Sequence, residues 1–239
     1  MIRKEVVTLT LVPALLLAGG CAQRPPHKEI ADPLEPVNRV IYKFNDKVDE
    51  YVLKPVAEGY QRVTPKPVQK GVHNFFQNLE EPIVIVNGAL QGKARQAASD
   101  SARFFFNTTF GVVGLFDVAT SMGHPKHHED FGQTFGVWGF GEGWYLVLPL
   151  MGPSTVRDTS GRLLDNQMDL VSQHEEVRER NSALALRLVD TRVQLLDATR
   201  VRDAGALDPY LYTREAYRQY RWNRIHDGNP PLPDFEQFD

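Results

Sequence analysis

The single cysteine of this 239-residue chain, Cys21, stands directly behind a leader-like segment, and that placement constrains the fold more than any other feature. One cysteine cannot form an internal disulfide, so packing and environment must do all the stabilising. Arg3 and Lys4 form a short basic start, and Val6 to Ala18 form an apolar stretch of about 13 residues, interrupted by Thr8, Thr10 and Pro13. That length suits a secretory leader and falls short of the roughly 18–20 residues a spanning helix needs. Ala18-Gly19-Gly20-Cys21 then reads as a bacterial lipobox, in which the cysteine is lipidated and becomes the mature N-terminus. It departs from the usual pattern in carrying Ala18 where leucine is common, with Leu17 one place early. Each buried methylene of a lipid anchor contributes about 0.8 kcal/mol, and more than one acyl chain gives stable anchoring. Ala22 is not the aspartate that retains bacterial lipoproteins at the inner membrane, which favours the outer membrane.

The expected organisation is therefore a signal peptide over 1–20, a lipidated tether over 21–31, a helical domain over 32–226 and a loose tail over 227–239. The leader removes two of 27 basic and one of 30 acidic residues, so the mature charge is −4. With no basic block, nucleic acid is not an expected partner.

From Asp32-Pro33 the pattern turns helical, with Val37, Val40, Ile41, Phe44, Val48 and Val52 at helical spacing and Pro55 as the expected stop. Val68 to Leu79 gives a second helix between Pro67 and Pro82, and 82–90 is a short apolar segment compatible with helix or strand. Ala94 to Phe106 gives another helix, followed by a glycine-rich apolar stretch from Phe110 to Met122. Phe131 to Gly152 mixes six glycines with Phe131, Phe135, Trp138, Phe140, Trp144 and Tyr145. Glycine at that density predicts an irregular segment or a short hairpin. Ser154 is the expected cap of a helix to about Leu170, with further helices over about 175–200 and 209–225. No apolar run after Cys21 is long enough to span a bilayer. The fold class is mostly α. Periodicity alone leaves open whether the apolar stripes face a core or a membrane interface.

The catalytic motifs each fail on a required residue. His124, His127, His128, Glu129 and Asp130 suggest a metal cluster, but neighbouring histidines on one loop rarely converge on a single ion. His174-Glu175-Glu176-Val177-Arg178 has Arg178 where a zinc-protease helix needs its second histidine. Gly88 to Ala94 imitates a phosphate loop with one spacer too few, and with Ala94 in place of the Mg-binding hydroxyl. Ser154, in Gly152-Pro153-Ser154-Thr155-Val156, is not a nucleophile elbow. The chain is not expected to be an enzyme or to hold a metal or cofactor.

A more specific pattern runs through the whole mature chain. It begins with Asp32-Pro33-Leu34-Glu35-Pro36-Val37-Asn38-Arg39 and Tyr42-Lys43-Phe44-Asn45, and continues in Asn78-Leu79-Glu80-Glu81-Pro82 and Leu90-Gln91-Gly92. Glu129-Asp130-Phe131-Gly132-Gln133-Thr134, Gly152-Pro153-Ser154 with Arg157-Asp158, and Asp208-Pro209-Tyr210 with Arg214-Glu215-Ala216-Tyr217 complete it. In these motifs the chain resembles the MlaA (VacJ) lipoprotein family, with Trp144 departing from the proline usual there. The resemblance implies a single ring-like domain of short amphipathic helices in the periplasmic leaflet of the outer membrane. It implies an amphipathic channel that removes mislocalised phospholipid from the outer leaflet. It also implies association with an outer-membrane porin trimer and hand-off to a periplasmic lipid carrier of the MlaC type.

The physics of such a task is compatible with this composition. A two-chain lipid pulled into water exposes about 30 methylenes at about 0.8 kcal/mol each, so acyl chains must stay in bilayer or protein. A charged headgroup in hydrocarbon is costly too, so the path needs polar lining. The expected functional residues are Cys21 as anchor, Tyr42, Phe44 and Asn45 as gating positions, and Gly136, Gly139 and Gly141 as shapers of the channel mouth. Phe44 also fits core packing, and the glycines also fit a surface loop. The alternative function is a non-transporting adaptor lipoprotein that binds porin and organises the envelope. A lipid hydrolase would need a Ser–His pair that the sequence does not reveal.

Overall fold

The computed structural model describes residues 32–231, so Cys21, the leader, the tether and the end of the tail lie outside the described residues. The domain is mostly helical. Helix α1 (Glu35–Val48) has Pro36 in its first turn, where the missing N–H costs nothing, with Glu35 at its start and Lys47 at its end to suit the helix dipole. It runs without a break through a π turn (Asp49–Leu53) into α2 (Lys54–Val63). The expected stop at Pro55 does not occur. The widened turn, in which the Lys54 N–H reaches back to the Asp49 carbonyl, makes room for the proline ring that a regular α turn would exclude.

Pro82 is likewise interior to a helix. Helix α3 (Lys66–Leu90) is 25 residues long and absorbs both the predicted second helix and the ambiguous apolar segment. Tertiary contacts hold the two sides of the proline in line. On one side Asn78 donates to Thr108 Oγ1. On the same side the buried Glu81 meets Arg103 and Lys126, each at 3.1 Å, and on the other the buried Asn87 accepts from Thr134 Oγ1 at 2.6 Å. After the turn at Gly92, α4 (Ala94–Thr109) returns antiparallel along α3, close enough for Gly88 to sit on Ala97.

The next loop is unusual. Val112, Val113 and Gly114 all have positive φ, at 53°, 56° and 90°, a conformation β-branched residues rarely adopt. Gly114 is required there, because a Cβ would lie 2.4 Å from that of Asn78. The turn leaves Phe110, Val112, Val113, Leu115 and Phe116 exposed. Helix α5 (Val118–Ser121) comes next, capped by Asp117.

The glycine-aromatic segment is more ordered than composition predicts. Its first part is helix α6 (Phe131–Val137), capped by Asp130. Its second part is the hairpin β1 (Tyr145–Leu148) and β2 (Gly152–Thr155), paired antiparallel with Tyr145 opposite Thr155. Thr155, rather than Ser154, caps α7 (Val156–Met168). The predicted 175–200 helix divides into α8 (Val177–Gln194) and α9 (Leu196–Gly205). Helix α10 (Pro209–Ile225) begins at the Asp208-Pro209 signal as expected.

Apolar burial is sparse. Two small clusters gather part of it: Ala57, Val193 and Leu196 in one, Tyr145, Val147 and Tyr210 in the other. Among the described residues 19 buried side chains are polar or charged and 14 are hydrophobic, while 31 large hydrophobics are exposed. That inverts the usual distribution of a water-soluble core. No helix among the described residues is long and apolar enough to cross a membrane.

Candidate functional site

Helix α1 presents two different faces. Val37, Val40, Phe44 and, beyond its end, Val52, all on the stripe seen in the sequence, are more than half exposed. The opposite face carries Asn38, Asn45, Asp46 and Asp49, and these make the long-range contacts. Asn38 donates to the Tyr145 carbonyl at 2.9 Å and accepts from the Val147 N–H at 2.9 Å. Seven residues later, two helical turns on, Asn45 repeats the pattern. It donates to the Leu148 carbonyl and accepts from the Leu150 N–H, both at 2.8 Å. The two amides together complete the hydrogen bonding of strand β1 and its turn, and so dock α1 on the hairpin.

Ionic contacts join the same face to the C-terminal helices. Arg192 grips both carboxylate oxygens of Asp49, with Nη2 at 2.7 Å from Oδ2. Arg202 donates to the Tyr42 hydroxyl at 3.1 Å and to Asp46 at 3.3 Å. Arg39 pairs with Asp208 at 2.8 Å and stacks over the Tyr210 ring. These contacts, 143 to 169 residues apart in sequence, bring α1 against α8, α9 and α10.

The elements so joined surround a cavity of about 860 Å³. The α1 face, the hairpin, α7, α8, α9 and α10 all contribute to its wall. The lining is amphipathic. Leu53, Leu184, Leu188 and Leu195 supply apolar surface, Tyr42, Tyr212, Tyr217 and Tyr220 supply rings with hydroxyls, and Arg162, Arg187, Arg192 and Arg202 share the wall with Asp46 and Asp49. Two further spaces share walls with it. One, of about 450 Å³, meets it at Tyr42, Asp46, Asp49 and Arg202. The other, of about 640 Å³, meets it at Met151, Arg162, Arg187 and Tyr220 and extends to Glu80, His128, Asp165 and Arg224. The smaller space is a charged vestibule beside the central cavity, and the other is a second polar chamber sharing its wall.

In that chamber, burial and the neighbouring Asp130 carboxylate push the Asp165 carboxyl up to about 7. Burial also raises Glu80. Burial and the nearby Lys126 and Arg224 hold His128 down to about 4. The cavity walls rest on a buried polar frame. Arg221 of α10 bridges Asp130 (2.6 Å), the cap of α6, to Asp158 (3.1 Å), in the first turn of α7. Tyr217 adds a 2.8 Å hydrogen bond to Asp158. Burial opposes the charge on Asp130, but the Arg221 guanidinium and the Gln133 N–H hold its carboxyl well below the usual range.

The sequence-predicted site residues fall into separate places. Tyr42 and Asn45 line the cavity. Phe44 is exposed on the outward stripe, away from the wall and from any core. Gly136 is buried where α6 crosses α10, and a Cβ there would meet Ile225 at 2.7 Å. Gly139 has a φ of +91° with open space around it, and Gly141 is half-buried in the coil leading to β1. Asn38, the arginines of the wall and Tyr212, Tyr217 and Tyr220 were not singled out as site residues from sequence. The spacing of Asn38 and Asn45 on one helical face was the available signal.

His127 pairs with the buried Asp100 at 2.7 Å, and among the described residues no group of three or more His, Cys, Asp or Glu could hold a metal ion. The structure does reveal a Ser–His pair, Ser99 Oγ to His124 Nδ1 at 3.0 Å. It borders a separate pocket at the start of α4 rather than the central cavity.

A family model described as MlaA lipoprotein matches residues 30–224. The chain is 38% identical over 223 residues to the intermembrane phospholipid transport system lipoprotein MlaA of Escherichia coli strain K12, covering 91% of this chain and 87% of that one. It is 34% identical over 232 residues to the protein of the same name from Haemophilus influenzae, covering 92% of each. A solved structure reported as "Structural basis for maintenance of bacterial outer membrane lipid asymmetry" superposes with a TM-score of 0.72 at 35% identity. The match covers 84% of this chain and all of that one.

Proposed function

The chain belongs to the MlaA lipoprotein family, and from that premise we propose that it moves phospholipid through its central cavity and so maintains outer-membrane lipid asymmetry. One observation carries this reading. A large amphipathic cavity, sharing wall residues with polar spaces on two sides, lies in a domain that leaves many large apolar side chains exposed, Val37, Val40, Phe44 and Phe116 among them. An apolar exterior with a polar interior is the stable arrangement when the surrounding solvent is hydrocarbon. The leucines and tyrosine rings of the wall shelter acyl chains, and its arginines and carboxylates replace water around the headgroup.

The domain sits in the periplasmic leaflet, held by the lipids on Cys21. It accepts phospholipid mislocalised to the outer leaflet, associates with a porin trimer, and passes lipid to a soluble periplasmic carrier of the MlaC type. Tyr42 and Asn45 form the gate. Tyr42 is held by Arg202 between cavity and vestibule, and Asn45 fixes the hairpin turn whose Leu150 and Met151 face the cavity. Phe44 anchors the same helix in lipid. Gly136, Gly139 and Gly141 act indirectly, by setting the path from α6 into the hairpin.

The test is lipid carried by the purified protein. Phospholipid that co-purifies, and is reduced by Leu188→Arg and Tyr212→Arg in the wall, supports transport. A protein that binds porin but carries no lipid is the adaptor. Release of free fatty acid that Ser99→Ala abolishes would instead assign a hydrolase to the Ser99–His124 pair.

A further inference from the structure

The second chamber is built differently from the central cavity. Of the cavity's charges, Asp49 pairs with Arg192 and Asp46 with Arg202, while Arg162 and Arg187 are shared with the chamber. Part of the chamber's charge is consumed in the same way: Asp169 by Arg187 and Asp130 by Arg221. Four groups remain. Among the described residues Glu80 and Asp165 lie in no ion pair within 4 Å, and neither do Arg162 and Arg224. Arg162 reaches the Met151 carbonyl, at 3.5 Å. Arg224 lies over the Tyr220 ring, and its buried Nε has no hydrogen-bond partner among the described residues.

We infer that this chamber is a headgroup subsite for a zwitterionic phospholipid of the ethanolamine type, with Arg162 and Arg224 taking the phosphodiester and Glu80 and Asp165 taking the ammonium. The inference rests on the transport reading and names its substrate class. The charge balance selects this chemistry. Two cations and two carboxylates left over in one chamber match a ligand carrying one charge of each sign. A purely anionic headgroup would satisfy the arginines and leave the carboxylates facing it unpaired, and an unpaired charge in a partly dehydrated space is costly. A primary ammonium has three donors to share between two carboxylates, whereas a glycerol headgroup offers only neutral hydroxyls. Burial, with the Asp130 carboxylate, raises the Asp165 carboxyl, and burial raises that of Glu80, so an ammonium placed beside them would favour the ionised form of both. The chamber adjoins the central cavity at Arg162 and Tyr220, so a headgroup placed there leaves its acyl chains among the leucines of the cavity wall.

The experiment compares the lipid carried by the full, lipidated protein with the lipid of the membrane it was extracted from, by mass spectrometry of headgroup classes. The expected result is enrichment of ethanolamine over glycerol headgroups by about tenfold, one decade of affinity. The Glu80→Gln, Asp165→Asn double variant should lose the enrichment and keep its lipid. Arg162→Gln with Arg224→Gln should lower the total of bound lipid for both classes. Bound lipid at the membrane's own headgroup ratio would overturn the subsite and leave transport standing. A wild-type protein free of phospholipid would overturn transport itself. Excess phosphoethanolamine should leave the carried lipid in place, and displacement by it would assign the chamber to a free phosphoester instead. Since the wild-type ratio alone decides the headgroup question, the inference stays open to refutation even where a double variant fails to fold.

Discussion

The outward face of α1 and the inward frame around Arg221 obey opposite rules. On α1, Val37, Val40 and Phe44 are more than half exposed. Around Arg221, two carboxylates, a second arginine and a tyrosine hydroxyl are packed together inside the domain. In a water-soluble domain the two sets would exchange places. The loop at Phe110 to Phe116 repeats the contrast locally. Its apolar side chains point outward, while Asn78, Arg103 and Asn107 lie buried behind them. The difference fits the transport reading, in which the domain's solvent is partly lipid. Burial of polar groups supplies specificity of shape, and the apolar exterior supplies partition into the bilayer.

The frame is the place to break this arrangement most severely. Arg221→Met leaves Asp130 and Asp158 buried near one another without their shared cation, and should cost about 3–5 kcal/mol. Loss of the cooperative unfolding transition, followed by circular dichroism in detergent, is the expected outcome. A change below about 1 kcal/mol would mean that water reaches the frame freely.

The next effect lies on the boundary between the two faces. Asn45→Ala removes two hydrogen bonds and orphans backbone groups at the hairpin turn, at about 1–3 kcal/mol. Deleting Phe44 and Asn45 together does more, because each residue lost rotates the rest of the helix by about 100°. The outward stripe and the inward carboxylates then exchange positions. The expected protein is folded but misgated, and leaks lipid between leaflets. Detergent permeability of cells carrying the deletion, compared with cells lacking the gene, checks this. Equivalence of the two would show simple loss of function and remove the gate.

How far such effects could be anticipated from sequence depends on the range of the contacts. The Asp208-Pro209 start of α10 was legible because capping is local. The hairpin was legible as one of two options for a glycine-rich stretch. Pro55 and Pro82 were misleading because a π turn and distant partners, Arg103 and Lys126 among them, override the local signal. The stripe on α1 was visible, but periodicity reports only that a face is apolar, not which solvent it meets. The wall arginines were illegible because their partners lie 143 and 156 residues away.

A smaller effect depends on pH. Asp165 ionises at about 7 in the folded chain against 3.8 ordinarily, so between those values the folded state holds an extra proton. Stability contributed by that proton is therefore lost as pH rises from about 4 to 7, by roughly 1–2 kcal/mol once partial exposure is discounted. Asp165→Asn should flatten the profile of melting temperature against pH across that window. An unchanged slope would place the titration elsewhere. Smallest of all is the effect of outer-face charge on the fold. Phe116→Asp should alter stability in detergent by under about 0.5 kcal/mol, because the site is already exposed. Its consequence should appear in membrane partition, measured by flotation with liposomes of the unlipidated domain.

The contrast between the faces is tested most directly by the water that each one meets in the membrane. Single cysteines placed at Val40 and Phe116 on the outer surface, and at Leu188 and Thr213 in the cavity wall, can be challenged with a membrane-impermeant maleimide in opened outer-membrane vesicles. Rapid labelling of the wall positions with protection of the outer ones is the predicted result. Equal or faster labelling at Val40 and Phe116 would put the apolar face in water and contradict a lipid-seated ring.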